Sequence, residues 1–244
     1  MKNQNLLDQF FLKDEEIIKL LVETASFKKS DAVLEIGAGS GVITRELVKK
    51  SSKVIAIEID KTFAKDLKQI PGNIQLIFAD ALGVLKNKKT DRLKFNKIVG
   101  SLPSSIIEPL VNILVKTDFE TAVFLVPLKF SYKLIKQPIF VDYFDTVIVM
   151  KVPRKSFYPT PKANWALVKM IKKPDPLKTG ERARFLRQYI YSHPKAKTEN
   201  ALTEGLVRFY RAQGKSLTKK NKPKLSLSPK TPFSKKALGG LEIF

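Results

Sequence analysis

The chain has 244 residues, with 45 Lys and Arg against 23 Asp and Glu, one His and no Cys, for a formal charge of +22. With no Cys and a single His, thiol chemistry, disulfides, zinc fingers and His-based metal sites or triads are excluded, so catalysis is expected to need no metal. No apolar run reaches the roughly 18 residues of a membrane span and the N-terminus lacks an uninterrupted apolar core, so the expectation is a cytoplasmic protein without a secretory signal.

Taken in chain order, Glu15 to Thr24 carries Ile17, Ile18, Leu20, Leu21 and Val22 at helical spacing. Next, Asp31-Ala-Val-Leu-Glu35-Ile-Gly37-Ala-Gly39-Ser-Gly41 is an apolar strand that runs into a three-glycine loop, and Val42 to Val48 reads as a helix. Glycine lets the backbone turn tightly against a ligand, and the N–H groups of a helix start present partial positive charge. The second strand, Lys53-Val-Ile-Ala-Ile-Glu58-Ile-Asp60, ends in carboxylates about 20 residues after the loop, where an acid bonds ribose hydroxyls. The dinucleotide pattern wants a third glycine where this chain has Val42, so a nicotinamide cofactor is the weaker reading. The string Glu35-x-Gly37-x-Gly39-x-Gly41 resembles the first motif of class I methyltransferases, whose ligand is S-adenosylmethionine.

Further along, Thr62 to Ile70 reads as a helix stopped by Pro71-Gly72, and Asn73 to Asp80 as a third strand. Phe95 to Gly100 is a fourth strand, Ser105 to Val115 a helix and Thr121 to Val126 a fifth strand. Ligands of such βαβ sheets bind outside the carboxyl ends of the strands, so Gly37, Glu58, Asp80 and Ser101 are expected to converge on one crevice. Asp145 to Val152 and Trp165 to Ile171 are β-rich and would close the sheet as an antiparallel hairpin.

Pro174-Asp175-Pro176 reads as a linker before two basic helices, Glu181 to Tyr191 and Thr198 to Tyr210. Residues 214–236 are rich in Lys, Ser and Pro, a composition of a disordered tail or an RNA-contacting arm. Charge follows the same division: residues 1–150 hold 22 basic against 18 acidic side chains, residues 151–244 hold 23 against 5. A one-sided excess of that size draws a phosphate backbone. The expected domains are therefore 1–173, an α/β domain with a doubly wound, mostly parallel sheet, and 174–244, a small basic helical domain.

In order along the chain, these strings resemble the rRNA adenine N6,N6-dimethyltransferase family of the KsgA type over roughly residues 8–211. Asp8-Gln9-Phe10-Phe11-Leu12-Lys-Asp14 is similar to its N-terminal motif, with Phe10 replacing a polar residue; Gln4-Asn5-Leu6-Leu7 is a rival register. Lys97-Ile-Val-Gly-Ser101-Leu102-Pro103-Ser104 is similar to the catalytic segment, and Phe157-Tyr-Pro159-Thr-Pro161-Lys162 to a distinctive Phe-x-Pro-x-Pro-Lys string. Lys195-Ala-Lys-Thr-Glu-Asn200-Ala-Leu resembles a helix of the family's small C-terminal domain.

The resemblance implies a Rossmann-like fold, S-adenosylmethionine as cofactor and methylation of adenine N6 in ribosomal RNA of the small subunit, by a monomer that needs neither metal nor membrane. It implies Gln9, Phe10, Leu12, Gly37, Gly39, Gly41, Glu58, Asp80 and Ser101 as cofactor-binding, with Glu58 on the ribose and Asp80 facing the adenine amino group. Ser101, Leu102, Pro103, Ser104 and Phe157 become the catalytic set. There the chain departs from the family, which has Asn in place of Ser101 and Tyr in place of Ser104. Ser101 accepts fewer hydrogen bonds than Asn and Ser104 cannot stack on a base, so Phe157 or Tyr158 is expected to supply the ring. The alternative is a family member impaired in transfer that serves as an RNA-binding ribosome-assembly factor.

Overall fold

The structure is a computed structural model and describes residues 9–87 and 93–217. The rival N-terminal register, Asp8 and most of the 214–236 segment lie outside the described residues. Two compact units result, one of 1–136 with 144–172, the other of 137–143 with the chain from Lys173 onward.

The first unit is built on a seven-stranded sheet. Its strands are β2 (Ala32–Ile36), β3 (Lys53–Glu58), β4 (Ile74–Phe78), β5 (Lys97–Ser101), β6 (Thr121–Pro127), β7 (Phe144–Val152) and β9 (Trp165–Lys172). The order across the sheet is β4-β3-β2-β5-β6-β9-β7, parallel from β4 to β6, with β9 antiparallel to both β6 and β7. Central strands such as Ala-Val-Leu-Glu-Ile and Lys-Val-Ile-Ala-Ile-Glu are almost continuously apolar, as strands covered on both faces must be. Helices α1 (Glu15–Thr24), α2 (Val42–Lys50), α3 (Ala64–Lys68), α4 (Ala81–Lys86), α5 (Ser104–Leu114) and α6 (Leu128–Lys136) complete the unit. Asp14 caps α1 by accepting from the Ile17 N–H, and Glu15 and Glu16 suit the positive end of that helix.

Three features differ from the sequence expectation. The helix expected over 62–70 is a 3-10 turn, Lys61–Phe63, followed by the short α3. Helix α6 follows β6 directly, where no element was expected, and Pro109 lies inside α5. Two short strands, β1 (Phe11–Leu12) and β8 (Phe157–Tyr158), pair as a separate antiparallel ribbon, with Phe11 opposite Tyr158 and Leu12 opposite Phe157.

The second unit holds α7 (Pro138–Tyr143), α8 (Pro176–Thr179), α9 (Arg182–Ser192) and α10 (Thr198–Ala212). Leu186, Leu202 and Leu206 form its core. A Cβ on Gly205 would stand 3.1 Å from both Leu186 and Tyr189, so glycine lets α9 and α10 approach closely. The expected boundary at 173 left 137–143 in the α/β domain; the structure groups that segment with the helices. The reason is a buried carboxylate: Asp142 on α7 accepts from Arg187 Nε at 3.0 and 2.9 Å and from Nη2 at 2.7 Å, and its carbonyl accepts from Gln188 Nε2. An acid buried like this one must be paired, and its partners sit on α9.

Candidate functional site

The carboxyl ends of β2, β3, β4 and β5 surround a cavity of about 280 Å³. A larger open groove, about 1230 Å³, lies at the amino ends of β2 and β5, where Asp31 and Asn96 sit. Size does not decide between them: a parallel sheet places its ligand at the carboxyl edge, where helix N-termini converge. Gly37, Gly39, Glu58, Asp80 and Ser101 all line the smaller cavity, with Gln9, Phe10, Leu12 and Pro103.

The glycine loop is held from one side. Gly39 has φ +53, a backbone conformation that favours glycine, and the ring of Phe11 lies above it, where a Cβ would meet it at an ordinary contact distance of 3.6 Å. The Gly39 N–H donates to Glu58 Oε2 at 2.7 Å, and the Asp60 N–H donates to Oε1 at 2.8 Å. Glu58 is thereby fixed at the cavity wall. Asp60, the other acid at that strand end, turns away to cap the 3-10 turn through Thr62. Ile59 between them is 54% exposed and lines the cavity, a flat apolar surface beside the carboxylate. Asp80 caps α4, accepting from Leu82 and Gly83 at 3.1 and 3.0 Å. Helix α2 has no side-chain cap, so its first-turn N–H groups remain available at the cavity.

Gly41 is not among the lining residues. Its φ of +83 favours glycine, and a Cβ would stand 2.4 Å from the tip of the Ile70 side chain. Behind the loop, Glu35 is fully buried and accepts from Thr44 Oγ1 at 2.6 Å, while its Oε1 has no partner among the described residues. Burial pushes its carboxyl up to about 8, with Glu58 adding to the rise, so this acid is neutral in the folded protein at neutral pH.

The β5 side of the cavity is left open. Ser101 stands opposite Gly37, where a Cβ would lie 3.8 Å from the Ser101 carbonyl. The Ser101 hydroxyl oxygen is buried and has no partner among the described residues. Such a group costs free energy unless something completes it. The Leu102 side chain is buried, and its N–H donates to the Leu125 carbonyl at 3.0 Å, which holds the segment to β6. Ser104 and Ser105 are exposed at the start of α5, and only Ser105 lines the cavity.

Phe157 is corrected by the structure. It has no exposed surface, does not line the cavity, and packs at 4.6 Å between ring centroids against Trp165. Its strand pairs with β1, and Ser156 Oγ donates to Asp14 Oδ2 at 2.8 Å, so this segment holds the N-terminal residues against the glycine loop. Tyr158 is 70% exposed. The residues that sequence reasoning left out are Phe11, Ile59 and Trp165; Trp165 lines the cavity and meets Phe10 edge-on. An isoleucine set between the acids Glu58 and Asp60 was the available signal for Ile59.

Fold and site together define a class I methyltransferase. Residues 1–223 match the family described as ribosomal RNA adenine dimethylase, and the chain belongs to that family. It is 35% identical over 218 residues to a probable ribosomal RNA small subunit methyltransferase A of Methanococcus aeolicus, covering 83% of this chain and 79% of that protein. Among solved structures it is similar to the 23S rRNA methyltransferase ErmE, with TM-score 0.61, 26% identity and 80% and 84% of the two chains covered. A dimethyladenosine transferase from Plasmodium falciparum shares the fold, with TM-score 0.62 at 23% identity, over 86% and 84%. Among the described residues no helix is long and apolar enough to cross a membrane.

Proposed function

We propose that the protein transfers methyl groups from S-adenosylmethionine to adenine N6 in ribosomal RNA of the small subunit. The observation that carries this reading is the buried hydroxyl of Ser101, without a partner among the described residues, in the cavity bounded by the glycine loop and Glu58. The residues suit the cofactor: an acid for ribose hydroxyls in Glu58, the apolar face of Ile59 for the adenine, Asp80 for its amino group, and Gln9, Phe10 and Leu12 with the start of α2 for the amino-acid end. When bound, S-adenosylmethionine supplies a methyl group on a positively charged sulfur.

The chain's own residues handle the nucleophile. An exocyclic adenine nitrogen is weakly nucleophilic because its lone pair is delocalised into the ring. A base inside a duplex is also out of reach, so the target must be extruded. Ser101 Oγ accepts one N6 hydrogen and the Leu102 carbonyl accepts the other, which favours a tetrahedral nitrogen whose lone pair is no longer shared with the ring. Pro103, with φ −65, fixes the turn into α5 that presents that carbonyl. One N6 proton leaves to water. Phe157 acts as a positioning residue, because β8 keeps Gln9 to Leu12 at the cavity.

The test is purified protein with radiolabelled S-adenosylmethionine and undermethylated small ribosomal subunits. Label in N6-methylated adenosine that disappears in Glu58→Ala supports the reading. Absence of transfer, with cofactor and subunit binding both demonstrated, overturns it and leaves an assembly factor.

A further inference from the structure

The cavity's own rings are already engaged. Trp165 is 2% exposed and packs on Phe157 and Phe10, while Phe11 lies over Gly39 and edge-on to Phe63 at 5.6 Å. At the β5 side, where an extruded base would enter, the segment offers only the small, exposed Ser104 and Ser105. A base taken out of its stack needs a flat partner, and a ring serves only if it is held in place.

We propose that Phe130 of α6 is that partner. Helices α5 and α6 both leave the carboxyl edge of adjacent parallel strands, β5 and β6, and so start side by side. They are tied one turn further on, where Lys133 Nζ meets Glu108 Oε2 at 2.6 Å. Counting back one turn from each partner gives Ser104 on α5 and Phe130 on α6, since residues three and four apart share a helix face. The same ammonium lies 5.8 Å from the centroid of the Phe130 ring, so one cation holds the ring and ties the helices. Phe130 is only partly buried, so part of its side chain stays accessible. Lys133 and Glu108 are positioning residues; Phe130 contacts the base.

This inference rests on the proposed adenine-methylating role, and its test separates the two. Phe130→Leu keeps apolar volume but removes the ring. Its turnover with small subunits is expected to fall roughly 5- to 150-fold, the equivalent of one lost base stack, with S-adenosylmethionine affinity, melting temperature and subunit affinity unchanged. Phe130→Tyr should retain activity, and Ser104→Tyr placed in Phe130→Leu should restore it from the facing helix. Exchanging the ion pair, Lys133→Glu with Glu108→Lys, should lower turnover less than Phe130→Leu, because the helices stay tied but the cation leaves the ring.

A second readout needs no turnover: the wild-type chain should quench the fluorescence of a single-stranded RNA oligonucleotide carrying 2-aminopurine, and Phe130→Leu should not. Wild-type turnover in Phe130→Leu, or equal quenching by both proteins, overturns the inference whatever the activity. Quenching that depends on Phe130 in a protein that transfers no methyl group would uphold it while the catalytic reading falls.

Discussion

The two sides of the cavity are built on opposite terms. Where β2 and β3 end, the groups facing the ligand are held by other protein atoms: the Glu58 oxygens by Gly39 and Asp60, the Gly39 turn by Phe11 above it. Where β5 ends, the Ser101 hydroxyl is buried with no partner among the described residues and Ser104 stands in solvent. The first side is preorganised and suits a ligand of one fixed shape. The second carries an unmet hydrogen bond; under the proposed reaction the target amino group would complete it, so its energy would be released only when the substrate arrives.

The sharpest way to break that comparison is to loosen the support common to both sides. Phe157→Ala empties a fully buried ring site and is expected to cost about 3–5 kcal/mol in denaturant unfolding, with cofactor affinity falling as the β1 and β8 ribbon loosens. Lost affinity at unchanged stability would instead mean that Phe157 touches the ligand directly.

Glu58→Ala acts on the preorganised side alone. Removing a carboxylate that holds two backbone N–H groups should weaken cofactor binding roughly ten- to a hundredfold by calorimetry, and turnover should fall about two- to tenfold at a cofactor concentration that just saturates the wild type. Ser101→Ala is the matching change on the open side: turnover roughly tenfold lower, cofactor affinity unchanged, and folded stability equal to or slightly above wild type because a buried orphan hydroxyl is gone. If Ser101→Ala weakens cofactor binding as much as Glu58→Ala does, the two sides do not divide the work in this way.

A last effect, on stability alone, concerns Glu35 behind the loop. Its carboxyl ionises near 4.5 in the unfolded chain and near 8 when buried, so between those values only the folded state holds the proton. Stability should therefore decline as pH rises across that window, complete below it and lost above it. Urea midpoints for Glu35→Gln should show a flatter decline, and at a pH above 8 the variant should be the more stable protein.

Much of the cavity wall at β2 and β3 was legible because its signals are local. A strand that alternates with glycines, an acid at the end of the next strand and a helix start are each written within a dozen residues, from Asp31 to Val42 and from Lys53 to Asp60. Asp80 and Asp60 show the limit of that reading: both are acids at strand ends, yet both spend oxygens on capping, and only Asp80 stays at the cavity. Helix α6 was not read from the sequence; Pro127 and Pro138 flank it, and each stands at a helix boundary.

By itself the sequence determined the βαβ alternation, the glycine loop, Glu58 and the basic C-terminal part, since period, turn chemistry and charge are properties of neighbouring residues. Tertiary structure alone decided what the distant pieces do. It took the pairing of β1 with β8 and the bond from Ser156 to Asp14, 142 residues apart, to turn Phe157 from a candidate ring for the base into the prop behind Gln9 to Leu12. It likewise took the Asp142 to Arg187 pair to draw residues 137–143 out of the sheet domain. Burial and partnering are sums over contacts between segments far apart in the chain, and no window of sequence contains them.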